Sequence, residues 1–182
     1  MRKINVWAVF ALFVFSLSAK AALPPDNVQL AVWANEAIVA TYTYDYKNFL
    51  PRQKEIAKYF TAEGWTAYST AVAASKLPET IQANSYYVSA VATLPPTITT
   101  VGSNQWEAKM PLLVVYKNPQ YQQKQTLDVT IRFIQAPAGQ GVRGFAITSL
   151  QSKVSEPPCQ CQPNENSNST TTDAQSPPLN AK

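Results

Sequence analysis

The apolar residues of this chain change their spacing once, near Pro78, and that change limits the fold more than any other feature. Upstream of it, Leu30, Trp33, Ala34, Ala37, Ile38 and Thr41 recur at three- and four-residue intervals, the repeat of one helix face. Val28, Val32, Val39, Tyr42 and Tyr46 widen the stripe and leave Glu36, Thr43 and Lys47 as a narrow polar face. A helix apolar on most sides belongs inside a core. The spacing therefore predicts a long first helix over Leu30–Phe49, capped by Asp26 or Asn27 and ended by Pro51. A short second helix follows over Pro51–Tyr59, with Ile56, Tyr59 and Phe60 facing inward. Thr61 reads as the N-cap of a third helix that runs to about Ser75 on an apolar stripe of Trp65, Tyr68 and Val72. Pro78 closes the helical half.

Downstream the period is two. Ser85 to Leu94 is rich in Tyr, Val and Thr, and Pro95-Pro96 interrupts it. Trp106, Ala108 and Met110 alternate with Glu107 and Lys109, and the segment continues as an apolar run through Val115. Leu127, Val129, Ile131 and Phe133 alternate with Asp128, Thr130 and Arg132, and Val142 to Leu150 supplies a last strand. These are strand patterns. Asn118-Pro119-Gln120 and Pro137-Ala138-Gly139 are turn chemistry, and short connections make consecutive strands antiparallel. Three helices followed by about four antiparallel strands form an α+β domain. A curved sheet that wraps the first helix is the layout of an NTF2-like cone.

Both ends differ from this domain. Arg2 and Lys3 precede an apolar run over Val6–Leu17, and Ala19-Lys20-Ala21 supplies a small-x-small cleavage pattern. This reads as a signal peptide over residues 1–21, cut to leave Ala22 first. The run is too short for a bilayer, which takes roughly 20 apolar residues; the competing reading is an uncleaved anchor. From Val154 to Lys182 the chain is Ser, Thr, Asn, Gln and Pro with almost no large apolar side chain, a composition that predicts a disordered polar tail. The folded unit is expected over residues 26–153.

Composition removes several functions. The formal charge of +4 includes Arg2, Lys3 and Lys20 of the leader, so the exported chain is close to neutral. A nearly neutral domain with scattered cations has no footprint for nucleic acid. The chain has no histidine, which removes the usual triads and His-based metal centres. Glycine-rich phosphate loops and nucleophile elbows are missing too. No catalytic, cofactor-binding or metal residues are assigned, and the chain is not expected to be an enzyme. The two cysteines, Cys159 and Cys161, fall in the tail. They leave three states open: a strained mutual disulfide, pairing with another chain, or two free thiols. Tyr42, Tyr44, Asp45 and Tyr46 are the residue types an acid–base site in a cone would use, although packing tyrosines and a surface carboxylate explain them as well. Trp33, Trp65 and Trp106 read as core residues. The rival functions are a small-ligand pocket lined by Trp33 and Tyr42, and a lyase or isomerase built on Asp45.

Specific blocks carry a family resemblance. Trp33-Ala34-Asn35-Glu36-Ala37 followed by Thr41-Tyr42-Thr43-Tyr44-Asp45-Tyr46 resembles the first periplasmic helix of the DotI/IcmL family. Phe60-Thr61-Ala62-Glu63-Gly64-Trp65 is similar to a second block. Ser89-Ala90-Val91-Ala92, Met110-Pro111-Leu112 and Gly144-Phe145-Ala146-Ile147 fit the strand half. The resemblance spans about Leu30 to Leu150. It implies an NTF2-like periplasmic domain of a type IVB secretion or conjugation machine, acting without chemistry as a scaffold that binds other envelope proteins and itself. Family members ordinarily carry a membrane span ahead of the domain, where this sequence has a short leader. The chain is therefore expected to be a periplasmic paralogue, with membrane contact only through partners or an uncleaved leader.

Overall fold

The computed structural model describes residues 25–155. The leader with its cleavage site at Ala21, and the tail with Cys159 and Cys161, lie outside the described residues. The described chain runs α1 (Asn27–Thr41), β1 (Tyr44–Asp45), α2 (Phe49–Ala57), α3 (Ala62–Ala74), α4 (Leu77–Ala83), β2 (Tyr87–Ala92), β3 (Thr97–Gly102), β4 (Gln105–Lys117), β5 (Gln122–Gln135) and β6 (Phe145–Val154).

Asp26 caps α1 by accepting from the Gln29 amide at 2.6 Å. The helix stops at Thr41, well short of the expected Phe49. The run Thr41-Tyr42-Thr43-Tyr44 is β-branched and aromatic, poor material for a helix interior. Arg52 of α2 then takes the free end: its Nε donates to the Thr43 carbonyl at 3.0 Å and its Nη2 to the Ala40 carbonyl at 3.4 Å. A cation at a helix C-terminus satisfies orphan carbonyls and opposes the dipole. α2 begins two residues before Pro51, which sits in its first turn where no intrahelical N–H is required. Thr61 caps α3 as its type predicts, accepting from the Gly64 amide at 3.1 Å. Pro78 opens a helix instead of closing the helical half, because it lies at the N-terminus of α4.

All strand pairings are antiparallel, in the order β1-β2-β4-β5-β6, with β3 also on β4. The sheet has six strands where about four were expected. β1 was hidden in the overlong helix, and β3 lies just beyond Pro95-Pro96. β4 is the spine: β2 pairs with its Leu112–Lys117 half, and β3 with its Gln105–Lys109 half. Pro111 falls at the changeover, where a missing N–H costs no ladder bond. β6 begins at Phe145, three residues later than expected. Gly139, Gly141 and Gly144 hold positive φ in the preceding loop.

The core is α1 against the inner face of this sheet. Leu30, Trp33, Ala34, Ala37, Ile38 and Thr41 are at most 1% exposed. All of these except Thr41, whose hydroxyl donates to the Ala37 carbonyl, meet the alternate residues Ala108, Met110, Leu112 and Val114 of β4, and Val129, Ile131 and Phe133 of β5, in one apolar cluster. One edge of the sheet is closed by the α2–α3 link. Thr61 donates to the Ile147 carbonyl at 2.9 Å, and Ile147 donates to the Tyr59 carbonyl at 2.7 Å. Gly64 then packs so close that an added Cβ would lie 2.5 Å from the Ile147 carbonyl oxygen.

Candidate functional site

The sequence marks out the turn after α1 and the tryptophans. The structure separates them. Strand alternation sends Tyr44 and Asp45 to opposite faces of β1. Tyr44 is buried, with its ring edge-on to Phe49 at 5.5 Å. Burial, together with the neighbouring Tyr68, Tyr116 and Tyr42, holds its hydroxyl far above the ordinary tyrosine range. Asp45 closes a turn. It accepts from the backbone amides of Lys47 at 2.8 Å and Asn48 at 2.9 Å, and from the Asn48 side-chain amide at 3.2 Å. Desolvation is the largest single influence on this carboxyl and acts upward, but the bonds from Asn48 and Lys47 and the Lys47 charge together outweigh it and hold the carboxyl below its usual value. Oδ1 is taken by two backbone amides and Oδ2 by the Asn48 side chain, and a lowered pKa is the wrong direction for a general base near neutrality. Tyr46 leans edge-on against Tyr87 at 5.5 Å, with the Lys47 ammonium over its ring.

The cleft that Trp33 lines does not include Tyr42. Trp33 lies within α1 and Tyr42 is its C-cap nine positions on, about 13 Å along the helix axis, and Ala34, Ala37 and Ile38 between them are packed into the core. Trp33 lies against Phe133 at 4.9 Å and Phe145 at 5.5 Å, and its Nε1 donates to the Val142 carbonyl at 2.8 Å. Trp106 stacks on Phe133 at 5.6 Å. Trp65 packs, partly buried, against the margin of the same core, 5.8 Å from the buried Phe60 and 5.5 Å from Tyr68.

The feature best suited to recognition is the N-terminal end of α1. Val28 is 71% exposed and Val32 55%, one turn apart on the helix. Beside them a cleft of about 200 Å³ is lined by Gln29, Val32, Trp33, Arg143 and Phe145. Its outer wall is held by polar contacts between segments distant in sequence. Glu36 of α1 accepts from the Tyr59 hydroxyl at 2.9 Å through Oε1, and pairs with Arg143 through Oε2. Arg143 adopts a left-handed φ of 51°, and the Trp33 indole holds the adjacent Val142 carbonyl. The loop is thereby anchored against α1, leaving an apolar ridge beside an apolar cleft. That pairing suits packing against another protein surface. The sequence showed Val28 and Val32 only as part of a continuous apolar stripe. Which side of the stripe stays outside depends on where the sheet ends, and no local signal reports that.

A helix enclosed by a curled antiparallel sheet, with further helices closing one edge, defines the NTF2-like class. An NTF2-like superfamily protein from Salmonella enterica serovar Typhimurium shares this fold at 13% identity and a TM-score of 0.50, covering 78% of this chain and 100% of that one. The chain belongs to the family described as type-IV b secretion system, inner-membrane complex component, whose profile matches residues 21–154. It is similar to an IcmL-like type IV secretion system protein of Legionella pneumophila, with 63% identity and a TM-score of 0.73 over 76% of this chain and 100% of that one. It also resembles the periplasmic domain of DotI, with 28% identity and a TM-score of 0.68 over 74% and 99% of the two chains. Comparison with curated proteins gives no match. Among the described residues, no helix is long and apolar enough to cross a membrane.

Proposed function

We propose that this chain is a non-catalytic scaffold subunit of a type IVB secretion apparatus. It works on the periplasmic face of the inner membrane by binding other envelope proteins and a second copy of itself. Residues 1–21 direct export and are removed after Ala21, residues 26–153 form the binding domain, and residues 154–182 are a polar extension. Within a secretion-component family, the observation that carries this reading is the exposed Val28–Val32 ridge beside the Trp33–Phe145 cleft. Exposed apolar side chains next to a firmly anchored cleft are features of a docking surface, while the interior beside α1 is filled with core side chains.

The test is recovery of partners from gently solubilised envelopes with a tagged full chain, read by mass spectrometry. The native chain should bring down secretion-machine subunits and begin at Ala22. The double variant Val28→Asp, Val32→Asp should keep its fold by circular dichroism and lose most of that recovery. Undiminished recovery by the variant would remove this surface from the proposal. A lone native bait would remove the scaffold role.

A further inference from the structure

The convex face of the sheet carries a second concavity, unrelated to the α1 cleft. It is a groove of about 580 Å³ that crosses all four strands from β6 to β3. Lys153 and Gln151 stand at its β6 end, Thr130 and Pro111 on its floor, and Lys109 and Thr97 at its β3 end. The floor is low because Pro111 lies where β2 has left β4 and β3 has begun. Asp128 also lines the groove, opposite Lys153 in the β5–β6 register.

We infer that the occupant of this groove is the chain's own segment following Ser155. Three observations support it. The first is position: the described chain leaves the sheet at Ser155, whose amide donates to the Thr126 carbonyl at 2.9 Å, two residues beyond the groove wall at Lys153. The second is length: β6 to β3 is three strand spacings, about 14 Å, and an extended proline-rich segment covers about 3.1 Å per residue. About five residues suffice, and Glu156 to Lys182 supply far more. The third is charge. The groove is lined by Lys109 and Lys153 against Asp128; Lys109 is already paired with Glu107 at 3.2 Å, which leaves Lys153 as the cation nearest the exit. Residues 156–182 contain Glu156, Glu165 and Asp173 against Lys182 alone. Pro157-Pro158 lack the N–H groups needed to extend the β6 ladder. Tethering raises the local concentration of such a segment to about the millimolar range, so weak contacts are enough. An acidic extended segment of a partner would have to displace it.

The test uses the full chain with Cys159→Ser, which leaves Cys161 as its single native thiol. A second cysteine is placed at Thr130 in the groove, or at Gln122 on the same face. Each lies four residues from Thr126, beside the exit point, so the two are equally reachable by an undirected tether. Under mild oxidation, non-reducing peptide mapping should show the intramolecular disulfide forming at least tenfold faster with Thr130→Cys than with Gln122→Cys. Lys153→Glu should erase the difference. Gln151→Cys, an exposed groove position, repeats the measurement if Thr130→Cys perturbs the fold. Equal rates at the groove and control positions, or disulfides formed only between two chains, would overturn the inference.

Discussion

Gly64→Ala is the most informative single substitution in this fold. Gly64 is the third residue of α3, and its amide is held by the Thr61 hydroxyl at 3.1 Å. A Cβ there would lie 2.5 Å from the Ile147 carbonyl oxygen and 3.0 Å from that of Thr148. Carbon–oxygen contacts relax at about 3.3 Å or more, so α3 and β6 would have to part by roughly 0.8 Å. That shift would stretch the Thr61–Ile147 backbone bond from 2.9 Å to beyond hydrogen-bonding range, a loss of about 1 kcal/mol. Overpacking against backbone adds about 1–3 kcal/mol. Alanine returns about 1 kcal/mol through helix propensity. The net expectation is a destabilisation of about 1–3 kcal/mol, although alanine is the better helix former. Urea unfolding followed by tryptophan fluorescence should show a lower midpoint with an unchanged slope, and Trp65 lies next to the site. A midpoint equal to or above the native value would refute the claim that contact with β6, and not local propensity, selects glycine here.

Two further outcomes test other joints of the domain. Arg52→Ala should cost about 1–2 kcal/mol, because the Ala40 and Thr43 carbonyls lose their charged donor; Arg52→Lys should recover only part of it, as an ammonium cannot bridge both carbonyls in a planar fork. Asp45 has a folded pKa below its ordinary 3.8, so its stabilisation is complete above that value and disappears as pH falls through the lowered folded value. Asp45→Asn should therefore flatten the acid limb of the stability–pH curve and reduce stability at neutral pH, as measured by urea titrations across pH 2–7.

The core face of α1 was readable because each of its buried residues keeps a helical interval; β5 was readable from its alternation with charged and polar neighbours, and β4 from the same alternation over Trp106–Met110 and an apolar run beyond it. The end of α1 was not. Tyr42 and Tyr46 fit the helical stripe, while the group that terminates the helix, the Arg52 guanidinium, comes from the next element. β3 escaped because its side chains are mostly exposed, so Thr97–Gly102 shows no inward alternation. Pro78 was ambiguous in principle, since proline both ends one helix and opens the next. The residues singled out at the candidate site were read by type, and type does not reveal facing. Tyr44 and Asp45 are adjacent in sequence and lie on opposite sides of a two-residue strand. The recognition surface depends on where the sheet ends around α1, which is a tertiary property.

The changeover at Pro111 has a mechanical consequence. β2 and β3 are each stitched to β4, on successive stretches of the same edge, so neither must yield for the other to open. A pull delivered through β1 and β2 loads the Leu112–Lys117 half of the spine, while the Gln105–Lys109 half keeps its grip on β3. In a subunit built into a larger assembly, this would let one flank of the domain give way under strain while the other flank and the helix it encloses stay seated.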